Sequence, residues 1–175
     1  LTADDLVGTL AAQHDRMIST WGSLEPAQWQ AASRNAAWTV HETTRHVADV
    51  MEAMTAQTCD EPWPFPAVQF DPNTTPDLWL EGSSAESPLD TGDRFATEAP
   101  RFRERVGARV AAGDAGTAGT PYGTAHWTMS IVHTFWDTWL HERDIALPLG
   151  VDPTSTPPEQ RLAALYGLLM AMVPA

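Results

Sequence analysis

The chain has 175 residues, 43% of them apolar, with a single cysteine and a formal net charge of −13. That length and apolar content suit one globular domain, residues 1–175, and no apolar run approaches the ~18 residues of a membrane span. All 10 basic residues are Arg, which excludes Lys-dependent phosphate loops and Schiff-base chemistry, and the acidity argues against nucleic acid as a partner.

Periodicity is helical almost throughout, and alternating runs are weak. The first predicted helix runs from about Thr2 to Trp21, with an apolar stripe of Leu6, Val7, Leu10, Met17, Ile18 and Trp21. "SLEPAQWQ" reads as a turn or short helix. The second helix lies in "WTVHETTRHVADVMEAMTAQ", where Thr39 and Glu42 form a capping box and Val40, Val47, Met51 and Met54 make the stripe. From Cys59 to Pro88 six prolines leave little room for a regular helix. Trp63, Phe65, Phe70 and Trp79 in this segment need somewhere to pack, so it is expected to cover a pocket mouth. A third helix spans roughly Asp90 to Ala112, bent or delayed near Pro100. "AGDAGTAGTPYG" reads as a flexible connection. A fourth helix runs from about His126 to Leu147, and a fifth begins near "TPPEQRLAALYGLLMAM", with Pro158 close to its first turn. The expected fold is all-α: an up-and-down four-helix bundle with an extra C-terminal helix and a long Pro-rich loop.

The fourth helix carries the chemistry. At ~100° per residue, His133, Asp137 and His141 climb one face, and Asp144 lies between them in angle. Its other faces hold Val132, Phe135, Trp136, Trp139 and Leu140, so the helix belongs in the bundle centre, its polar strip either buried or lining a cavity. An Asp and a His four apart can grip one divalent ion, although this spacing alone is a weak signal. His46, on the second helix beside Val50 and Ala53, can face the same interior, whereas His41 points further round toward solvent. Two imidazoles and one carboxylate make an open three-ligand site of the catalytic-zinc kind. His14 sits inside the first helix's stripe, as a core histidine hydrogen-bonded to a neighbour or as a pocket-lining donor. Cys59 reads as a structural thiol, and one cysteine suits a reducing compartment, so a cytoplasmic location is expected. The eight Trp read as core or as the lining of an organic-ligand pocket.

"WTVHETTRHVADV" resembles the Trp-Thr-Val…His signature of the mycothiol-dependent maleylpyruvate isomerase family, within the wider DinB-like bundles: His46 follows Trp38 by eight positions. Asp137, His141, Asp144 and Gly150 match the later acid-x-x-x-His-x-x-Asp…Gly signature. The resemblance implies a metal, usually zinc, bound by His46, Asp137 and His141, with His14, His133 and Asp144 as supporting or pocket-lining candidates. The family's helix carboxylate is usually Glu, one methylene longer than Asp137. The isomerase also carries a C-terminal domain used in catalysis, and this chain ends at "LLMAMVPA". Expectation therefore moves from maleylpyruvate isomerisation toward thiol transfer or thiol-assisted chemistry with mycothiol or a similar low-molecular-weight thiol, on a small-molecule substrate. The alternatives are a non-catalytic metal- or ligand-binding bundle, acting as a pathway accessory or regulator, and a member whose metal site has decayed. The oligomeric state, a homodimer included, is left open.

Overall fold

The apolar stripes become the walls of a common core. A computed structural model describes residues 3–66, 71, 73–120 and 123–172. In chain order the elements are α1 (Ala3–Gly22), α2 (Pro26–Trp29), α3 (Val40–Cys59), α4 (Thr75–Gly82), α5 (Pro88–Ala111), β1 (Thr117–Thr120), β2 (Gly123–His126), α6 (Trp127–Ala146) and α7 (Pro157–Ala171). Helices α1, α5, α3 and α6 form a ring, each packed on the next, and α7 lies against α6 and α1. The interior is filled by Leu10 and Met17 of α1, Val47 and Met51 of α3, Phe95, Phe102 and Val106 of α5, and Ile131 and Phe135 of α6. The expected helical bundle is present. Thr2 and Phe70 lie outside the described residues.

Local chemistry sets the helix starts. Thr39 Oγ1 accepts from the Glu42 N–H (3.2 Å) and Glu42 Oε2 accepts from the Thr39 N–H (2.7 Å), so α3 begins at Val40. Ser87 and Asp90 cap α5 in the same way, which starts it at Pro88, two residues before the sequence reading. Pro100 lies inside α5, where its ring offers no N–H to the carbonyl one turn back.

Two expectations are corrected. The Pro-rich segment is not all loop: α4 forms because Pro76 falls in its first turn, where a missing N–H costs nothing, and the following residues to Gly82 contain no proline. The glycine-rich stretch is not a flexible connection but an antiparallel hairpin, with Thr117 opposite His126 and Thr120 opposite Gly123. Gly123 takes φ 110°, which a side chain would disfavour.

One polar tie crosses three helices. Arg16 of α1 donates to both carboxylate oxygens of Glu142 on α6 (2.6 and 2.8 Å) and to Glu159 of α7 (2.7 Å). Both acids are buried, so the guanidinium compensates two charges at once and fixes α7 to the α1–α6 edge. Among the described residues, no helix is long and apolar enough to cross a membrane.

Candidate metal centre

Helices α3 and α6 run antiparallel, so the start of one meets the end of the other. His46 near the start of α3 faces Asp137 and His141 near the end of α6. His46 Nε2 stands 3.8 Å from Asp137 Oδ2, and His141 Nε2 stands 3.8 Å from Asp137 Oδ1. One ligand atom from each of the three lies within 4.8 Å of the others. His141 Nδ1 donates to Asp144 Oδ2 (3.1 Å), which turns the Nε2 lone pair toward the centre. The Trp38 ring covers both imidazoles, at 5.0 Å from His46 and 6.1 Å from His141, and its Nε1 donates to Asp77 Oδ1 of α4 (3.1 Å).

The electrostatics separate the two histidines. Burial pushes His46 down to about 4, against the pull of the Asp137 charge, so the ring is neutral at pH 7 and its approach to Asp137 is not an ion pair. For His141 burial also lowers the pKa, but the Asp144 hydrogen bond and the Asp137 and Asp144 charges outweigh it, and the net direction is upward.

The residues fit a divalent ion on an observation of their own. Asp137 Oδ2 is buried and accepts no hydrogen bond, which is costly for a carboxylate oxygen unless a cation completes it. Two neutral-capable imidazoles and a carboxylate are a zinc-type donor set. Metal bonds of ~2.1 Å at tetrahedral angles put ligand atoms ~3.4 Å apart, so the observed separations are slightly wide and small side-chain rotations close them.

Beyond the three donors a cavity of about 550 Å³ opens along the α3–α6 groove, within the size range of small-molecule sites. On α3 it is lined by His46, Val50, Ala53, Met54 and Gln57; on α6 by Ser130, His133, Thr134, Asp137 and His141. Trp63, Pro66 and Trp79 from the Pro-rich segment and Gly119 and Thr120 from the hairpin close its sides. Phe65 stacks on Trp79 at 4.6 Å, so these aromatics pack together beside the cavity, as their number in the segment led one to expect.

The remaining candidates divide. His133 lines the cavity, with Nδ1 2.8 Å from Tyr166 Oη, and burial lowers its pKa against the Asp137 charge. His14 neither lines the cavity nor finds the hydrogen-bonding neighbour expected of it. It is fully buried against Phe95 and Phe102 of α5, and both ring nitrogens lack a partner. The reason is that the α1 stripe faces α5 rather than the α3–α6 groove. His41 is half-buried rather than exposed, 3.3 Å from Thr91 Oγ1 and edge-on to Trp29, and takes no part in the centre. Sequence reasoning gave no role to Gln57 or Ser130. Their signal was present: Gln57 follows His46 by eleven positions and Ser130 precedes His141 by eleven, which is three helical turns on the same face.

The family model described as the mycothiol maleylpyruvate isomerase N-terminal domain matches residues 10–146. The chain belongs to this family. The matched span carries all three converging donors and ends where α6 ends, so α7 lies beyond the family's common part. No curated protein and no solved structure gives a match.

Proposed function

We propose that this member of the maleylpyruvate isomerase N-terminal domain family is a metal-dependent enzyme. His46, Asp137 and His141 hold the ion, which is zinc, and the substrate is a small organic or thiol-conjugated molecule. The co-substrate is mycothiol or a similar low-molecular-weight thiol, and the chemistry is of the transferase or isomerase kind. The observation that carries this reading is the unpartnered Asp137 oxygen between two imidazoles at one end of a ligand-sized cavity. A divalent ion there supplies a lowered pKa to a thiol or water beside it. The chain's own residues do the rest. Asp144 keeps the His141 proton on Nδ1, Trp38 shields the imidazoles, and the aromatic segment limits water at the cavity wall.

The adjoining cavity favours an enzyme over a purely metal-storing bundle, because a structural site is closed and needs no space beside it. The test is metal analysis of protein purified without chelator or nickel resin, followed by turnover of an electrophile with mycothiol. About one zinc per chain and thiol-dependent turnover that His141→Ala abolishes are expected. Bound zinc without turnover would leave the non-catalytic reading standing, and no uptake from excess zinc would remove the metal centre altogether.

A further inference from the structure

The α3–α6 groove has two chemically different ends. His46 and Gln57 are eleven residues apart on α3, and Ser130 and His141 are eleven apart on α6, so the groove is about 16 Å long at 1.5 Å per residue. One end holds the His46–Asp137–His141 donors. The other holds Gln57 and Ser130, where Ser130 Oγ donates to Gln57 Oε1 (3.1 Å) and the Gln57 amide nitrogen lies beside Gly119. Between them the walls are Val50, Ala53 and Met54 on α3 and His133, Thr134 and Trp136 on α6, with His133 Nδ1 2.8 Å from Tyr166 Oη.

No cation lines this groove among the described residues, although the chain has 10 arginines. Arg45 is next to His46 in sequence, but its Nη1 turns away to donate to the Leu80 carbonyl (3.0 Å). Arg34, next to Asn35, is exposed and outside the lining. The other arginines pair with carboxylates away from the groove or, like Arg161, are exposed. Residues 67–70, 72, 121 and 122 carry no charged side chain in the sequence. Among the described residues, Asp137 is the only acid in the lining.

We infer that the groove selects an elongated, uncharged ligand that places its single ionisable donor at the His46–Asp137–His141 end and a neutral amide or hydroxyl at the Gln57–Ser130 end. Carboxylates and phosphates are selected against. The inference rests on the proposed metal–thiol reading and names the substrate class for that site. A divalent cation brings two positive charges, Asp137 removes one and one ionised thiol removes the other. A second anionic group would then enter a mostly apolar channel lined by no Arg among the described residues, without a guanidinium fork to pair it, where an unpaired ion is strongly penalised by desolvation. Maleylpyruvate, the substrate in the family's name, is a dicarboxylate and is a poor match to such walls.

The experiment uses the zinc-loaded protein and two probes of nearly the same shape, 4-mercaptobenzamide and 4-mercaptobenzoate. Binding is read by titration calorimetry and by quenching of tryptophan fluorescence at low salt. The amide should bind at least about tenfold more tightly than the benzoate. Gln57→Arg, which introduces a guanidinium at the far end, should reverse or erase that preference. Should Gln57→Arg fail to fold by circular dichroism, Thr120→Arg at the side of the groove makes the same test. Equal binding of the two probes, or tighter binding of the benzoate, by the wild-type protein would overturn the inference while leaving the metal–thiol reading intact. Zinc uptake with binding of neither probe would overturn both.

Discussion

Asp137 is the residue on which the centre turns, because it faces both imidazoles and has one oxygen with no other partner. Removing a direct ligand from an open three-ligand site should weaken metal binding by well over the roughly 10–100-fold typical of changes to outer partners such as Asp144. His141→Ala should therefore be purified nearly metal-free, whereas His41→Ala, altered on a side chain that lies against Thr91, should keep its ion; elemental analysis of both decides it. Retention of stoichiometric metal by His141→Ala would count against the assigned ligands. His14 makes a different residue-scale prediction. Burial, helped by the Arg103 charge, lowers its pKa from 6.5 to about 3. The unfolded chain takes up this proton below about pH 6.5 and the folded chain refuses it until about pH 3, so the stability is complete above the unfolded value and drains away as pH falls. The slope is up to about 1.4 kcal/mol per pH unit. Between pH 7.5 and 5, wild type should lose about 2 kcal/mol more unfolding free energy than His14→Leu. Urea melts at the two pH values measure this, and parallel losses in the two proteins would refute it.

At the scale of elements, the helices were legible because of apolar residues at helical spacing, and α3, α5 and α7 start on capping boxes. What was not legible came from punctuation residues with two meanings. Pro76 reads as a helix breaker in a proline-rich run, yet at the first turn of α4 it is a helix starter. The glycines of the hairpin read as flexibility, yet β1 packs on α6, and that tertiary contact fixes their backbone. Which face of α1 met which neighbour was equally hidden, since periodicity places His14 on the inward face without saying what stands opposite. The Arg16 tie escaped for the same reason: Glu142 and Glu159 look like ordinary surface acids until three helices bring one guanidinium between them. Arg16→Met should leave buried Glu142 with only the longer Arg143 contact (3.3 Å) and buried Glu159 with no cation, and cost about 3 kcal/mol. At ~2–4 °C per kcal/mol this lowers the melting temperature by roughly 10 °C. Replacing Glu142 and Glu159 by Gln in the same chain should recover part of the loss. A thermal melt of Arg16→Met within 2 °C or so of wild type would show that the tie contributes little.

For the whole molecule, the candidate centre lies between two helices of the ring whose other tie across the cavity-bearing groove, besides packing, is the Ser130–Gln57 hydrogen bond. About 550 Å³ beside His46 and Asp137 is open along that groove, so packing there is looser than in a filled core. An ion that binds His46 on α3 together with Asp137 and His141 on α6 binds only the folded arrangement, so its binding free energy adds to folding. With free zinc at one hundred times its dissociation constant the gain is about 2.7 kcal/mol, which for a chain of this size raises the melting temperature by roughly 5–10 °C. Chelator should reverse the shift. The same addition should leave His141→Ala nearly unmoved, which separates stapling at this site from adventitious binding to the acidic surface that the net charge of −13 provides. A shift of equal size in wild type and His141→Ala would place the stabilising ion on that surface instead of between α3 and α6.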